Sequence, residues 1–144
     1  MKMKIQKLDP GAKLPIRGST GASGLDVGSL DRAEIKPGET VLLRTGLAFE
    51  IPPGYFLGVY PRSSLVKKKN LGMPHSVGII DSDYRGELWV SLRNLDRQHS
   101  VVVEQGERIA QIILQPYEEV VFEVVENLSE TERGEGSLGS TGKF

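Results

Sequence analysis

Cysteine is absent from this 144-residue chain, which excludes a disulfide framework, a thiolate metal site and a cysteine nucleophile. Long apolar runs are absent too: nothing approaches the ~20 residues of a membrane-spanning helix, and the opening "MKMKIQKLDPG" has no apolar signal core. A cytoplasmic protein without a membrane partner is the expectation. Neither charge is in excess, with 18 Lys plus Arg against 19 Asp plus Glu and a formal net charge of -1. A general nucleic-acid binder needs surplus base to neutralise phosphates, so no nucleic-acid partner is expected, although a small basic pocket stays open. The two histidines, His75 and His99, stand alone without metal-ligand spacing.

What the chain does contain is punctuation. Seventeen glycines and eight prolines are spread through it, separating short apolar runs as in all-β sandwiches and barrels. The runs predict strands at residues 3–8, 33–35, 40–51, 55–60, 77–80, 87–94, 100–103, 108–115 and 120–125. The turn sequences "KPGE", "IPPG", "RNLDRQ" and "EQGE" lie between several of them. Only "SSLVKKKNLG", residues 63–72, reads as a short helix, with Gly72 as its stop. "VVFEVV" and "IAQIILQ" are apolar on both faces, which points to association between subunits. One domain is expected.

Four clusters carry polar side chains in patterns that chemistry could use. In "GIIDSDYRGEL", residues 78–88, an apolar strand runs into Asp81, Asp83, Tyr84 and Arg85; a hairpin tip and a reactive site both fit. In "YPRSSL" a strand ends at Pro61 and a helix begins near Ser63. Free N–H groups there, with Arg62, Ser63 and Ser64, would cradle an anion, whereas an ordinary cap would use the same residues. Gln111 sits inside the apolar strand of "QGERIAQII" and needs a partner for its amide, structural or functional. In "GASGLDVGS", Asp26 faces away from Leu25 and Val27.

Taken in order, "ASGLDV", "PRSSL", "GIIDSDYRGEL", "GERIAQ" and "RGEGSLGSTG" resemble the five motifs of the trimeric deoxyuridine triphosphatase (dUTPase) family, over residues 22–142. The resemblance implies an all-β, jelly-roll-like sandwich or barrel with one short helix, assembled as a homotrimer with sites shared between subunits. Residues 1–126 would form the β domain and residues 127–144 a flexible glycine-rich arm serving as a lid. The implied reaction is magnesium-dependent hydrolysis of dUTP to dUMP and pyrophosphate, with Asp81 activating the water that attacks the α-phosphorus. Arg62, Ser63 and Ser64 would hold the phosphate chain, and Arg133, Ser140 and Thr141 would close over the γ-phosphate. His75, Val77 and Gly78 belong to the hairpin that would read uracil, and Tyr84 would stack under the deoxyribose. Mg2+ would ride chiefly on the triphosphate, with no direct protein ligand and with Asp26 and Gln111 as outer-shell partners.

Four residues and one short segment depart from the family pattern or its commonest form. Leu138 stands where a phenylalanine usually covers the uracil, Ser137 and Ser64 replace common glycines, Leu25 takes an often aromatic place, and "MPHS" precedes Val77. These bear on closure and base binding rather than on the reaction. A dCTP deaminase shares the "RSSL" motif, but its proton-shuttling glutamate aligns with Ser91. A non-catalytic jelly-roll, structural or nucleotide-sensing, would not need Asp81, Arg62 and the tail motif together.

Overall fold

Alternation of side chains along short strands sets the architecture. In Trp89–Asn94, residues Val90, Leu92 and Asn94 are buried while Trp89 and Arg93 are exposed, the period-two pattern of a strand with one face on a core. The computed structural model describes residues 2–137. In chain order it contains β1 (Lys4–Lys7), β2 (Ile16–Arg17), β3 (Leu25–Gly28), β4 (Ala33–Ile35), β5 (Thr40–Arg44), β6 (Leu47–Glu50) and β7 (Tyr55–Tyr60). Helix α1 (Ser63–Lys69) follows, then β8 (Leu71–Gly72), β9 (Gly78–Ile80), β10 (Trp89–Asn94), β11 (Val101–Val103) and β12 (Arg108–Pro116).

A five-stranded sheet, ordered β2-β3-β12-β7-β9, forms the largest layer. The smaller sheets β5-β10-β8, β1-β6 and β11-β4 complete an all-β, jelly-roll-like fold. Val27, Leu57, Val59, Ile109 and Ile112 from the large sheet meet Ile35, Leu43, Leu47, Val90 and Leu92 in one core. Each fully buried aliphatic side chain contributes roughly 1.5–3 kcal/mol relative to exposure. Asn94 is buried among them, yet its amide nitrogen donates to the Ile35 and His99 carbonyls and its oxygen accepts from Asp96 N–H. Next to it, Asp96 accepts the N–H groups of Gln98 and His99, and these bonds hold its carboxyl below the usual carboxylate range.

The structure departs from the sequence reading in four places. The single strand expected at 40–51 is split into β5 and β6 at Gly46, which takes φ +69° and could not carry a Cβ without meeting that of Ala12 at 2.8 Å. Helix α1 stops at Asn70 in the left-handed region, φ 54°, rather than at Gly72, which lies in β8. Strands β2 and β3 form where "IR" and "LDVG" had no strand expectation, because pairing with β12 organises β3. Residues 120–125 are not a strand, and Val121, Phe122 and Val124 are about nine-tenths exposed.

Candidate active site

Sheet register gathers the first group of polar residues. Gln111 of β12 lies opposite Asp26 of β3 on one side and Tyr60 of β7 on the other, so one row across the sheet leads to Pro61 and Arg62. The chain then turns into α1, whose N-cap Arg62 is extended at φ -94°, ψ 127°. Arg62 Nε donates to Asp26 Oδ1 at 2.9 Å, and its Nη1 donates to the Arg108 carbonyl at 3.1 Å. Arg108 Nη1 in turn donates to Asp26 Oδ2 at 3.0 Å. Both carboxylate oxygens are thus engaged, and two guanidinium groups are held side by side. Gln111 finds the partner its position demanded: its amide nitrogen donates to the Pro61 carbonyl at 3.0 Å, while its oxygen is turned against Gly24.

These residues border an open groove of about 410 Å3, lined by Arg62, Ser64, Lys68, Lys69, Arg108 and Glu107 among others. Lys69 is paired with Glu107 at 2.6 Å, whereas Arg62 and Arg108 share the one Asp26 carboxylate, so that with Lys68 they leave a net positive charge at the groove. Ser63 is exposed at the first turn of α1, and Ser64 is half-buried at the groove. The arrangement suits a polyanion, since arginine forks bind phosphate oxygens in pairs.

A second group lies on the hairpin built by β9. There Gly78 pairs with Val59, Ile79 with Gly58 and Ile80 with Leu57. His75 and Val77 are exposed on the turn before β9, with the His75 imidazole folded over Gly78. Asp81 is exposed immediately after the strand, and its carbonyl accepts the Tyr84 N–H at 3.2 Å. Tyr84 is also exposed on one face, with its hydroxyl donating to the Glu87 carbonyl at 3.0 Å.

The two groups do not meet. Because β9 runs antiparallel to β7, Asp81 comes level with the start of β7, whereas Arg62 follows its end. At about 3.3 Å per residue, that is a separation on the order of 15–20 Å. Arg133, in turn, makes a local bond to the Gly136 carbonyl at 2.9 Å, in an exposed stretch. Leu138, Ser140 and Thr141 lie outside the described residues. Arg108 was not singled out from the sequence, although it is the only cation in "GERIAQ". Among the described residues, no three His, Asp or Glu side chains gather as a metal cage.

Fold and groove together define an all-β protein with an arginine-lined groove whose chemistry suits an anion. The family model for dUTPase matches residues 11–142. Similar proteins include the deoxyuridine 5′-triphosphate nucleotidohydrolase of Corynebacterium diphtheriae, 46% identical over 138 residues, covering 96% of this chain and 91% of that protein. The Hydrogenobaculum enzyme of the same name is 45% identical and is covered to 99%, as is this chain. Among solved structures, the dUTPase of Staphylococcus bacteriophage 80alpha with dUPNHPP superposes with a TM-score of 0.92 at 27% identity, covering 99% of each chain. The chain belongs to the dUTPase family.

Proposed function

We propose that this protein hydrolyses dUTP to dUMP and pyrophosphate. The carrying observation is the combination, in a chain of this family, of a doubly arginine-lined groove with an exposed carboxylate on a hydrogen-bonded hairpin. Asp81 takes a proton from a water whose oxygen bonds to the α-phosphorus. The bond from that phosphorus to the bridging oxygen breaks, and pyrophosphate leaves with the electron pair. Arg62, Ser63, Ser64 and Gln111 hold the phosphate chain and oppose the charge that develops on it. Uracil presents two carbonyl acceptors around one N–H donor, a pattern that backbone groups at Val77 and Gly78 complement, with His75 beside them. Tyr84 lies under the deoxyribose, where a 2′-hydroxyl would collide. Arg133, Ser140 and Thr141 close over the γ-phosphate, and Leu138 covers the base, so that residues 127–144 act as a lid on the domain of residues 1–126.

Magnesium fits this chain as a companion of the substrate. Asp26 has both oxygens committed to arginines, and Mg2+ characteristically keeps several waters while binding phosphate oxygens. Asp26 and Gln111 would then face metal-bound water rather than the ion. The ion would supply neutralisation of phosphate charge.

The active unit in this reading is a homotrimer. Asp81 and Arg62 stand too far apart in one chain to share one triphosphate, so a site takes the hairpin of one subunit and the groove of another. The exposed apolar residues at 120–125 supply surface for that association. The test is to incubate the protein with Mg2+ and each nucleoside triphosphate in turn, measuring monophosphate and pyrophosphate. Pyrophosphate and dUMP from dUTP alone are expected; orthophosphate release, or equal turnover of dTTP, would overturn the proposal.

A further inference from the structure

Glu87 is a carboxylate that the reaction above leaves without a task, yet its side chain is only 12% exposed. Its Oε1 accepts the Gly46 N–H at 2.7 Å, and its Oε2 accepts from Arg44 Nε at 3.2 Å. Arg44 is held from its other side by the ring of Trp89, 5.9 Å from the guanidinium carbon to the ring centroid. The carboxylate therefore plugs into the turn between β5 and β6. At the other end of the same residue, the Glu87 carbonyl accepts the Tyr84 hydroxyl at 3.0 Å. The tyrosine folds back over Gly86 so closely that a Cβ there would collide with the phenolic oxygen. The loop from Asp81 to Glu87 is thus a hook whose tip is Tyr84 and whose barb is the Glu87 carboxylate.

We propose that Glu87 is a positioning residue for sugar selection: anchored in the β5–β6 turn, it fixes the carbonyl that tethers the Tyr84 hydroxyl, and so sets the height of the ring under the sugar. This rests on the reading of Tyr84 given above. Steric exclusion of a 2′-hydroxyl depends on a ring that cannot retreat, since a shift of about an ångström removes a van der Waals overlap. Backbone bonds at Leu88, whose N–H donates to the Leu47 carbonyl at 2.7 Å, keep β10 in place without Glu87. Loss of the carboxylate accordingly loosens the hook and leaves the sheet.

The experiment measures kcat/KM for dUTP and for UTP in the full-length protein, in Glu87→Ala, Glu87→Gln, Tyr84→Phe and the double variant Glu87→Ala/Tyr84→Phe. Glu87→Gln keeps an acceptor for the Gly46 N–H, and secures a folded variant should Glu87→Ala prove unstable. The preference for dUTP over UTP should fall about fivefold in Glu87→Ala and in Tyr84→Phe, the scale of one hydrogen bond, with a smaller fall in Glu87→Gln. The double variant should fall no further than either single one, because both act through one tether. Unchanged preference in folded Glu87 variants, or additive losses in the double, overturns the proposal. Failure of the unaltered protein to hydrolyse dUTP would instead overturn the reading on which it rests.

Discussion

Asp26 and Arg108, 82 residues apart in sequence, meet at 3.0 Å across the β3-β12 pair, and the same carboxylate holds Arg62 at 2.9 Å. Two guanidinium groups at this spacing repel each other unless an anion sits between them, and Asp26 is that anion in the free protein. In the proposed function, an incoming triphosphate would meet a pair of cations already fixed in place, so that the ordering cost would be paid in folding rather than in binding.

Asp26→Asn keeps the shape and removes the charge, and its amide nitrogen turns an N–H toward one of the arginines. The pair is partly screened, so the loss should fall between that of exposed and buried ion pairs, about 1–3 kcal/mol in chemical denaturation. Affinity for a non-hydrolysable dUTP analogue should also drop, with more effect on the triphosphate than on dUMP. Wild-type affinity with lowered stability would confine Asp26 to the fold.

Opposite placement of Asp81 and Arg62 about β7 leads to a complementation test. Asp81→Asn should lose roughly 10²- to 10⁴-fold in rate, the scale of a lost general base, and Arg62→Ala should lose phosphate binding. Denatured, mixed in equal amounts and refolded together, the two variants should regain activity, because some sites draw Asp81 from one subunit and Arg62 from another. Random assortment gives roughly one quarter of sites with both residues intact. Recovery no greater than the sum of the separate variants would place each site within a single chain.

The elements of this fold were more legible than their meetings. Residues 55–60 and 108–115 carried enough β-branched and aromatic side chains to announce β7 and most of β12. Strand β3, with a charge and a glycine among its four residues, is a strand because β12 pairs with it, and no local preference reveals that. The break at Gly46 comes from its close approach to Ala12, a distant segment that local pattern does not include. In the candidate site, the need of Gln111 for a hydrogen-bond partner followed from residue type and neighbours alone and is met by the Pro61 carbonyl, whereas the phosphate role expected of Arg62 came from the resemblance. The bond from Asp26 to Arg108 needed the register of the sheet, and the run at 120–125 has a strand's composition without a partner strand among the described residues.

Truncation before Arg133 tests the lid. Residues 127–137 have no strand or helix and lie exposed apart from the half-buried Gly136, and among the described residues the Arg133 side chain bonds within its own turn. Removing the segment should leave the melting temperature nearly unchanged while turnover of dUTP collapses, because a lid acts through closure and charge placement. A large fall in melting temperature would make the segment structural; full turnover would remove it from the mechanism.

Phe122→Asp addresses the apolar stretch that the single chain leaves uncovered. Phe122 is 88% exposed, with Val121 at 93% and Val124 at 97%, so within one subunit the substitution removes almost no packing and should leave the secondary structure intact. If another subunit covers these residues, each copy loses roughly 1.5–3 kcal/mol of burial and adds a carboxylate that must be desolvated without a partner. A trimer repeats that loss at every interface, so the effect on assembly should be several times the effect on any one chain. Sedimentation at micromolar concentration should show the unaltered protein as a trimer and Phe122→Asp shifted toward monomer. Turnover should fall in step with the trimer fraction and recover at higher protein concentration, since mass action restores a weakened assembly. A variant that remains fully trimeric would mean that the association runs through other surfaces, and one that dissociates yet keeps full activity would mean that a single chain carries a complete site.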